Sequence, residues 1–242
     1  MKPRRETESE DVKPSFPMRI NKYLASKKLC TRREADELIT KKLVFINGRP
    51  AVLGDKVEET DSVEVKGPQK KYRYFAYNKP RGVITHSPQG DEESIKDIFP
   101  IKNLFPIGRL DKDSYGLIIL TDDGRITDGL LNPKNEHEKE YAVECLDELP
   151  SNFKKKMESG VNIGDYTTKP CKVEITGERT FLITLTEGKK HQIRRMCGAF
   201  GQNAVELKRV RVSNITLGNL KPGDYRAIEG EELKEFLESV GV

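Results

Sequence analysis

The sequence contains no tryptophan and no apolar segment near the ~18 residues that a membrane span requires. Its amino-terminal stretch, MKPRRETESED, lacks the apolar core of a secretory signal. Charged residues make up 34% of the chain and hydrophobic residues 35%, a composition typical of water-soluble proteins. These absences exclude an integral membrane protein and predict a cytoplasmic one.

Groups that bind metals or cofactors are also missing from the sequence. The chain has four cysteines, which are Cys30, Cys145, Cys171 and Cys197. They lie far apart, form no CxxC pair and have no histidine nearby at ligand spacing. His137 and Glu138 could begin a zinc-hydrolase helix, but Tyr141 stands where the second histidine belongs. No phosphate-binding loop or dinucleotide fingerprint is present, so the sequence predicts neither a metal nor a cofactor.

The length of 242 residues suits one medium domain and one small one. Residues 1–17 combine charges and prolines with few apolar residues, so we predict a disordered tail there. Residues 18–66 are predicted to form a small compact domain, residues 67–71 a linker, and residues 72–242 a larger domain. The chain is therefore expected to fold as two domains of unequal size.

Local signals in the small domain predict two helices followed by a small curled sheet. Apolar residues at helical spacing begin at Ile20, and Thr31 with Glu34 three residues later forms a capping box for the helix RREADELITKK. Asn47-Gly48 between apolar residues predicts a hairpin. Further short strands are expected around Val57, Val63 and Val65.

Charge within this domain is distributed unevenly. Residues 19–49 contain nine Lys and Arg residues against three acids, and residues 50–66 reverse the balance. This split indicates one face for a polyanion and another for solvent, although an ordinary solvated helix face would give the same pattern. The net charge of the whole chain, +4, does not distinguish the two interpretations.

The stretch from residue 105 to residue 124, FPIGRLDKDSYGLIILTDDG, contains the leading catalytic candidate. Its apolar start ends at Gly108, which allows the backbone to turn and brings Arg109 and Asp111 to an exposed loop. The run Leu117–Leu120 predicts a strand buried on both faces. A carboxylate on a loop held by rigid elements suits catalysis, whereas the alternative is a carboxylate that only caps a turn. Asp111 is therefore the candidate catalytic residue.

The string GRLD, followed after four residues by Gly116-Leu117, resembles the signature of the pseudouridine synthases that modify ribosomal RNA. The resemblance implies that Asp111 acts on one uridine, either by attacking the anomeric carbon of the sugar or by helping to remove a neighbouring sugar proton. The uridine must first be flipped out of its stack. The resemblance also implies that Arg109 occupies the vacated space or holds the RNA backbone.

Two later motifs resemble the same family. The triplet Lys139-Glu140-Tyr141 matches the family's KEY motif, which implies that Tyr141 stacks on the target base; the alternative is a strand residue that packs its ring inward. The closing strands resemble those of the family and imply that Leu207 helps to line the base pocket. Both residues are therefore candidates for contacts with the base.

The segment HQIRRM resembles the family's third motif, which implies an ion pair between Arg194 and Asp111. A buried arginine partner would lower the pKa of the aspartate and fix its orientation. The alternative for Arg194 is an arginine that binds phosphate or caps a sheet. The predicted catalytic set is therefore Asp111, Tyr141 and Arg194.

Residues 18–66, with the wording RINKYLASKKLCTRREADELI and VFINGRP, resemble the alpha-L RNA-binding domain. The turn NKPRG resembles the motif that opens the catalytic domain of the synthases. Together these resemblances imply an α+β protein. A small N-terminal helical/β RNA-binding domain would precede a mixed, largely antiparallel-sheet catalytic domain with a central cleft.

RNA is the expected partner, and the basic residues predict where it binds. The expected RNA contacts are Arg109, Arg19, Lys22, Arg32, Arg33, Lys79, Arg81, Lys190 and Arg195. HEKEY and CTRREAD resemble the enzymes that act on large-subunit ribosomal RNA, some of which also modify a tRNA. The protein is expected to act as a monomer.

Two other functions fit parts of the sequence. One is a non-catalytic RNA-binding factor in ribosome assembly, which would keep the scaffold without turnover. The other is a metal-dependent nuclease. Its metal would be held by Asp111, Asp113, Asp122 and Asp123.

Overall fold

The structure is a computed structural model that describes residues 15–68 and 70–242. Most of the predicted tail, residues 1–17, lies outside the described residues. The chain divides into two compact units between Lys71 and Tyr72. No helix in the described part of the chain is long and apolar enough to span a membrane.

The amino-terminal unit contains two helices and five short strands. They are β1 (Met18–Arg19), α1 (Ile20–Ser26), α2 (Arg32–Thr40), β2 (Val44–Ile46), β3 (Arg49–Pro50), β4 (Lys56–Val57) and β5 (Val63–Val65). Strands β3, β2 and β5 form one antiparallel sheet in that order, and β1 pairs with β4. The apolar sides of both helices pack with these strands in one core.

The predicted capping box and hairpin of this unit are confirmed. The Thr31 hydroxyl accepts a hydrogen bond from the Glu34 amide (3.2 Å), and the Glu34 carboxylate accepts one from the Thr31 amide (2.9 Å). Asn47 and Gly48 have φ values of 50° and 81°, as a tight hairpin turn between β2 and β3 requires. Helix α2 ends earlier than predicted because Lys42 has a left-handed φ of 57°.

The carboxy-terminal unit is built on one sheet. Its strands are β6 (Tyr74–Lys79), β7 (Phe105–Ile107), β8 (Tyr115–Thr121), β9 (Lys139–Cys145), β10 (Lys172–Ile175), β11 (Thr180–Leu185), β12 (Ala204–Val212), β13 (Ile215–Thr216) and β14 (Tyr225–Ala227). Its helices are α3 (Ile95–Ile98), α4 (Ile126–Leu131), α5 (Phe153–Glu158), α6 (Gln192–Gly198) and α7 (Gly230–Ser239). The main strand order is β10-β11-β9-β12-β8-β6-β14, while β7 pairs with β8 and β13 with β12.

Strand pairing in this sheet confirms the predicted mixed, largely antiparallel fold. Every described pair is antiparallel except β12 with β8, which is parallel. Strand β8 is buried on both faces, as predicted. Leu117 and Ile119 enter one apolar cluster with α4 and α7, while Ile118 and Leu120 enter another with α3.

Two local features of this unit are the start of α5 and the close contact between β8 and β12. Helix α5 begins at Phe153, after a turn in which the Phe153 amide donates to the Pro150 carbonyl (2.8 Å). Gly116 lies where β8 meets β12. A Cβ atom at this glycine would lie 2.3 Å from the carbonyl oxygen of Arg209, so only glycine allows this approach.

Candidate active site

The loop that carries Asp111 leaves β7 at Gly108, whose φ is 77°. The next fixed point is Leu110, which is bound from both sides by Thr85. The Leu110 amide donates to the Thr85 hydroxyl (3.1 Å), and this hydroxyl donates to the Leu110 carbonyl (2.7 Å). Since Thr85 and Leu110 are both buried, the backbone immediately before Asp111 is held by the core.

The backbone after Asp111 is held as well. The Ser114 amide donates to the Asp111 carbonyl (3.1 Å), and the Gly82 amide donates to the Lys112 carbonyl (2.8 Å). The Asp111 side chain remains 40% exposed. This arrangement agrees with the prediction of a reachable carboxylate on a rigidly held loop.

Asp111 opens into a cavity of about 660 Å³ in the carboxy-terminal unit. The predicted site residues that line this cavity are Arg109, Asp111, Tyr141, Lys190 and Leu207. Apolar side chains, among them Ile107, Ile119 and Leu185, form much of the remaining wall. The structure thus brings together residues from the Asp111 loop, from β9 and β12, and from the segment before α6.

Tyr141 lies on β9, opposite Ile183 of β11 and Arg209 of β12. Its ring packs against the apolar cluster of α5 and α6 and also lines the cavity. Both interpretations of Tyr141 made from the sequence are therefore compatible with its position. Stacking on a base stays a prediction.

The structure does not form the predicted ion pair between Arg194 and Asp111, and this expectation is corrected. Arg194 lies in the first turn of α6, and its Nη1 donates to the Ala204 carbonyl at the start of β12. Its Nη2 is buried without a hydrogen-bond partner. The basic side chain within 4 Å of the Asp111 carboxylate is instead that of His191, with Nε2 3.7 Å from Oδ1.

Two residues of the site were missed by the sequence reasoning. His191 precedes α6 with a left-handed φ of 52°, which turns the chain toward Asp111. Arg209 is only 4% exposed; its Nε donates to the Leu117 carbonyl (2.7 Å) and its Nη1 to the Arg109 carbonyl (3.4 Å). Arg209 thus links β12, β8 and the Asp111 loop. Its sequence signal, an arginine two residues after Leu207, looks like part of a surface basic cluster.

Lys79 was predicted to contact RNA, and its position contradicts this. It is fully buried, and its ammonium donates to the carbonyls of Val83 (2.6 Å) and Pro80 (2.9 Å). Burial lowers the pKa of Lys79 to about 8, while the negative charge of Asp111 opposes this shift. Lys79 lies inside because β6 is an inner strand, between β8 and β14.

The other predicted RNA contacts fall into two groups. Arg81 and Arg195 are partly used within the protein: Arg81 pairs with Glu206 (2.7 Å), and Arg195 pairs with Asp165. The remaining predicted residues outside the cavity have exposed side chains on the amino-terminal unit; they are Arg19, Lys22, Arg32 and Arg33. Contacts of all these residues with RNA stay predictions.

The four aspartates of the nuclease alternative do not form one group. Asp123 is fully buried and accepts hydrogen bonds from Tyr74 and Arg125, whereas Asp122 pairs with Arg73 (3.1 Å). Within residues 15–68 and 70–242, no group of three or more His, Cys, Asp or Glu side chains could hold a metal ion. The geometry therefore gives the nuclease alternative no support.

Two protein-family models match the chain. The model described as RNA pseudouridylate synthase matches residues 73–199, which include the Asp111 loop and β9. The model of the S4 domain matches residues 18–63. This second match confirms the RNA-binding domain expected at the amino-terminal end.

Individual proteins resemble the chain over most of its length. The dual-specificity RNA pseudouridine synthase RluF of Escherichia coli K12 is 38% identical over an alignment of 234 positions that covers 94% of this chain and 81% of that protein. An uncharacterized RNA pseudouridine synthase of Aquifex aeolicus is 39% identical over an alignment of 241 positions that covers 93% of this chain and 96% of that protein. A crystal structure of a pseudouridylate synthase matches with a TM-score of 0.67 and 30% identity, covering 90% of this chain and 99% of the other.

Proposed function

Because the chain belongs to the RNA pseudouridylate synthase family, we propose that it converts uridine to pseudouridine in large-subunit ribosomal RNA, with a tRNA as second substrate. The observation that carries this proposal is the shared cavity of Asp111, Tyr141 and Leu207. Its volume of about 660 Å³ can hold a flipped nucleoside. The dual-specificity name of the E. coli relative is consistent with two RNA substrates.

The reaction is an isomerisation in which the substrate loses no atoms. The bond between N1 of uracil and C1′ of the sugar breaks, the base rotates, and a bond forms between C5 and C1′. C5 then loses its proton and N1 gains one. A half-exposed carboxylate at the cavity can take part either as a nucleophile at C1′ or as the base that removes the 2′ proton. We assign this role to Asp111.

We assign supporting roles in this step to Tyr141 and Arg109, which both line the cavity. Tyr141 lines the cavity, and its ring would stack on the flipped uracil. Arg109 lies two residues before Asp111 with an exposed side chain, so it can fill the gap in the RNA stack or hold a phosphate. Arg194 ties α6 to β12, and we assign it a positioning role.

The S4 domain and the exposed basic residues would supply affinity for the RNA backbone. Bases displayed in loops or junctions would supply the choice of site, because a base flips out most readily where it is weakly stacked. We also propose that the protein acts as a monomer in the cytoplasm. The relatives come from bacteria, whose ribosomal RNA is made there.

The decisive experiment replaces Asp111 by Asn, which removes the charge and keeps the shape. We expect Asp111→Asn to abolish pseudouridine formation in ribosomal RNA transcripts while the dissociation constant for RNA stays within a few-fold. Asp113→Asn, two residues away on the same loop with an exposed side chain, is the matched control and should remain active. Turnover by Asp111→Asn would show that the nucleophile is assigned wrongly.

A wild-type protein that binds ribosomal RNA without converting any uridine would favour the assembly-factor alternative. Mapping of carbodiimide-reactive uridines in RNA from cells with and without the protein tests this directly. The same map identifies the modified position and distinguishes large-subunit RNA from tRNA.

A further inference from the structure

The cavity contains two cations that the proposed reaction has not used, Lys139 and Arg209. Lys139 begins β9, two residues before Tyr141, so the two side chains point to the same face of the sheet. Lys139 is half-buried and Arg209 is buried. Together they place two positive charges on the sheet side of the cavity, which we call the cation floor.

Among the described residues, the cation floor contains no direct ion pair, although the carboxylates of Asp111 and Glu187 line the same cavity. Within the part of the chain that the structure describes, neither Lys139 nor Arg209 makes an ion pair with a carboxylate. Withdrawing an unpaired cation from water is unfavourable. Burial, followed by the charge of Arg209, lowers the pKa of Lys139 accordingly. A floor of this kind is suited to negative charge that arrives with the substrate.

The two floor cations differ in their free donors. Arg209 is held by two backbone carbonyls, those of Leu117 and Arg109. Within residues 15–68 and 70–242, the ammonium of Lys139 makes one hydrogen bond, to the His137 carbonyl (3.1 Å), which uses one of its three donors. Lys139 therefore keeps donors for a ligand beside Tyr141.

The surroundings of Lys139 indicate which part of the RNA it meets. The cavity wall around the floor is largely apolar and suits the faces of a base rather than a hydrated phosphate. The outer edge of the cavity carries the exposed side chains of Lys189 and Lys190, which suit the phosphates. The ligand of Lys139 is thus expected to be the uracil itself.

We propose that Lys139 is a further catalytic residue, which donates a hydrogen bond from its ammonium to a carbonyl oxygen of the flipped uracil and stabilises the negative charge that develops as the N1–C1′ bond breaks. The electron pair of that bond leaves with the base, and the charge spreads from N1 to the carbonyl oxygens. Lys139 keeps its proton throughout. Attack at C1′ and removal of the 2′ proton both release the base as an anion, so the role holds for either route.

The inference rests on the proposed function, and a 5-fluorouridine substrate tests it separately. Fluorine withdraws electrons and makes the base a better leaving group that needs less stabilisation. We expect Lys139→Met to lower the single-turnover rate on uridine RNA by roughly 100-fold, the size of effect seen when one donor to a developing anion is removed. C5 of 5-fluorouridine carries fluorine in place of the proton that the isomerisation removes, so its reaction stops once C5 has bonded to C1′, and the rate measured there is the loss of 5-fluorouridine from the RNA. This rate should fall at least about tenfold less in Lys139→Met than the rate on uridine RNA, and the dissociation constant for RNA should stay within about threefold.

Two further variants keep the test valid if Lys139→Met folds poorly. Lys139→Arg retains the charge and should recover part of the rate, whereas Lys139→Gln should not. Lys172→Met, a lysine on β10 with an 83% exposed side chain, is the matched control and should behave like the wild type.

Several outcomes would overturn the role of Lys139. An equal loss on both substrates would make Lys139 a packing residue, and a loss of affinity alone would make it a phosphate contact. An unchanged rate in Lys139→Met, with an active wild type, refutes the inference and leaves the proposed function intact. A wild type that converts no uridine refutes both.

Discussion

Both sides of the cavity carry positive charge, but the cations on one side are more buried than those on the other. On the sheet side, Lys139 and Arg209 are withdrawn from water and held by backbone carbonyls. On the outer edge, Lys189 and Lys190 are exposed on the segment before α6. A withdrawn charge acts strongly on what lies beside it, whereas an exposed one is screened by water and salt. We therefore expect the sheet side to act in the chemistry and the edge to supply affinity for RNA.

The two sides are also supported differently. The sheet side is held by strand pairing between β9, β12 and β8. The edge is anchored by the buried Glu187, which accepts hydrogen bonds from Tyr166 (2.7 Å) and from the Gln192 side chain (2.8 Å). Gln192 in turn accepts one from the Lys189 amide (2.8 Å). The backbone of the edge is thus fixed, while the exposed Lys189 ammonium lies 4.3 Å from the centre of the Tyr166 ring.

Among the predictions that compare the two sides, we expect the largest loss of rate from replacing Arg209 on the sheet side. Arg209→Met leaves the carbonyls of Leu117 and Arg109 without this donor and removes one of the contacts that position the Asp111 loop. We expect the single-turnover rate to fall by about 100-fold or more, since a displacement of about 1 Å can cost that much. Arg211→Met, on the same strand but paired with Glu138, is the control and should retain most activity. Equal losses in the two variants would contradict the positioning role of Arg209.

A second prediction tests whether the buried Lys79, whose charge interacts with that of Asp111, is shielded from water in the folded protein. Lys79 has a pKa of about 8 in the folded protein, and unfolding restores the ordinary value near ~10.4. Between these pH values the unfolded chain binds more protons, so the free energy of unfolding rises with pH. Lys79→Met removes this contribution.

The measurement is urea unfolding of the wild type and Lys79→Met at several pH values from 7 to 11. The free energy of unfolding of the wild type, relative to the variant, should increase by roughly 2–3 kcal/mol across that window. Lys172→Met, which changes an exposed lysine, should show no such change relative to the wild type. Parallel pH profiles for wild type and Lys79→Met would mean that Lys79 stays charged.

The smallest effect is expected at the edge. Lys189→Ala and Lys190→Ala should each weaken RNA binding a few-fold and lower the slope of log affinity against log salt by about 0.7, as expected for one lost contact with a single-stranded phosphate. The rate at saturating enzyme should not change. Lys154→Ala, an exposed lysine on α5, is the control. A reduced rate at saturating enzyme in the edge variants would contradict the expectation that the edge contributes only to RNA affinity.

Local structure could be predicted from the sequence because its causes lie within a few residues. The capping box of Thr31 and Glu34 and the turn at Asn47-Gly48 are examples. The unbroken apolar run Leu117–Leu120 likewise predicted a strand buried on both faces. The family motifs also located Asp111 and Tyr141, which line the same cavity.

The electrostatic partners in the site could not be predicted in the same way, because they depend on the register of distant strands. Arg194 and Arg209 both lie in basic segments, and spacing along the chain does not reveal which one reaches the Asp111 loop. The parallel pairing of β12 with β8 decides in favour of Arg209. Lys79 was misassigned for a similar reason, since the neighbours of β6 were unknown.

Gly116 contacts the backbone of Arg209 so closely that only a hydrogen atom fits in the place of its side chain. Because Gly116 has no side chain, β8 and β12 approach closely there. The Arg209 side chain can then donate a hydrogen bond to the Arg109 carbonyl, two residues before Asp111. The methyl group of an alanine at position 116 would push β8 and β12 apart. The absence of a side chain at Gly116 therefore sets the distance between β8 and β12 next to Arg209.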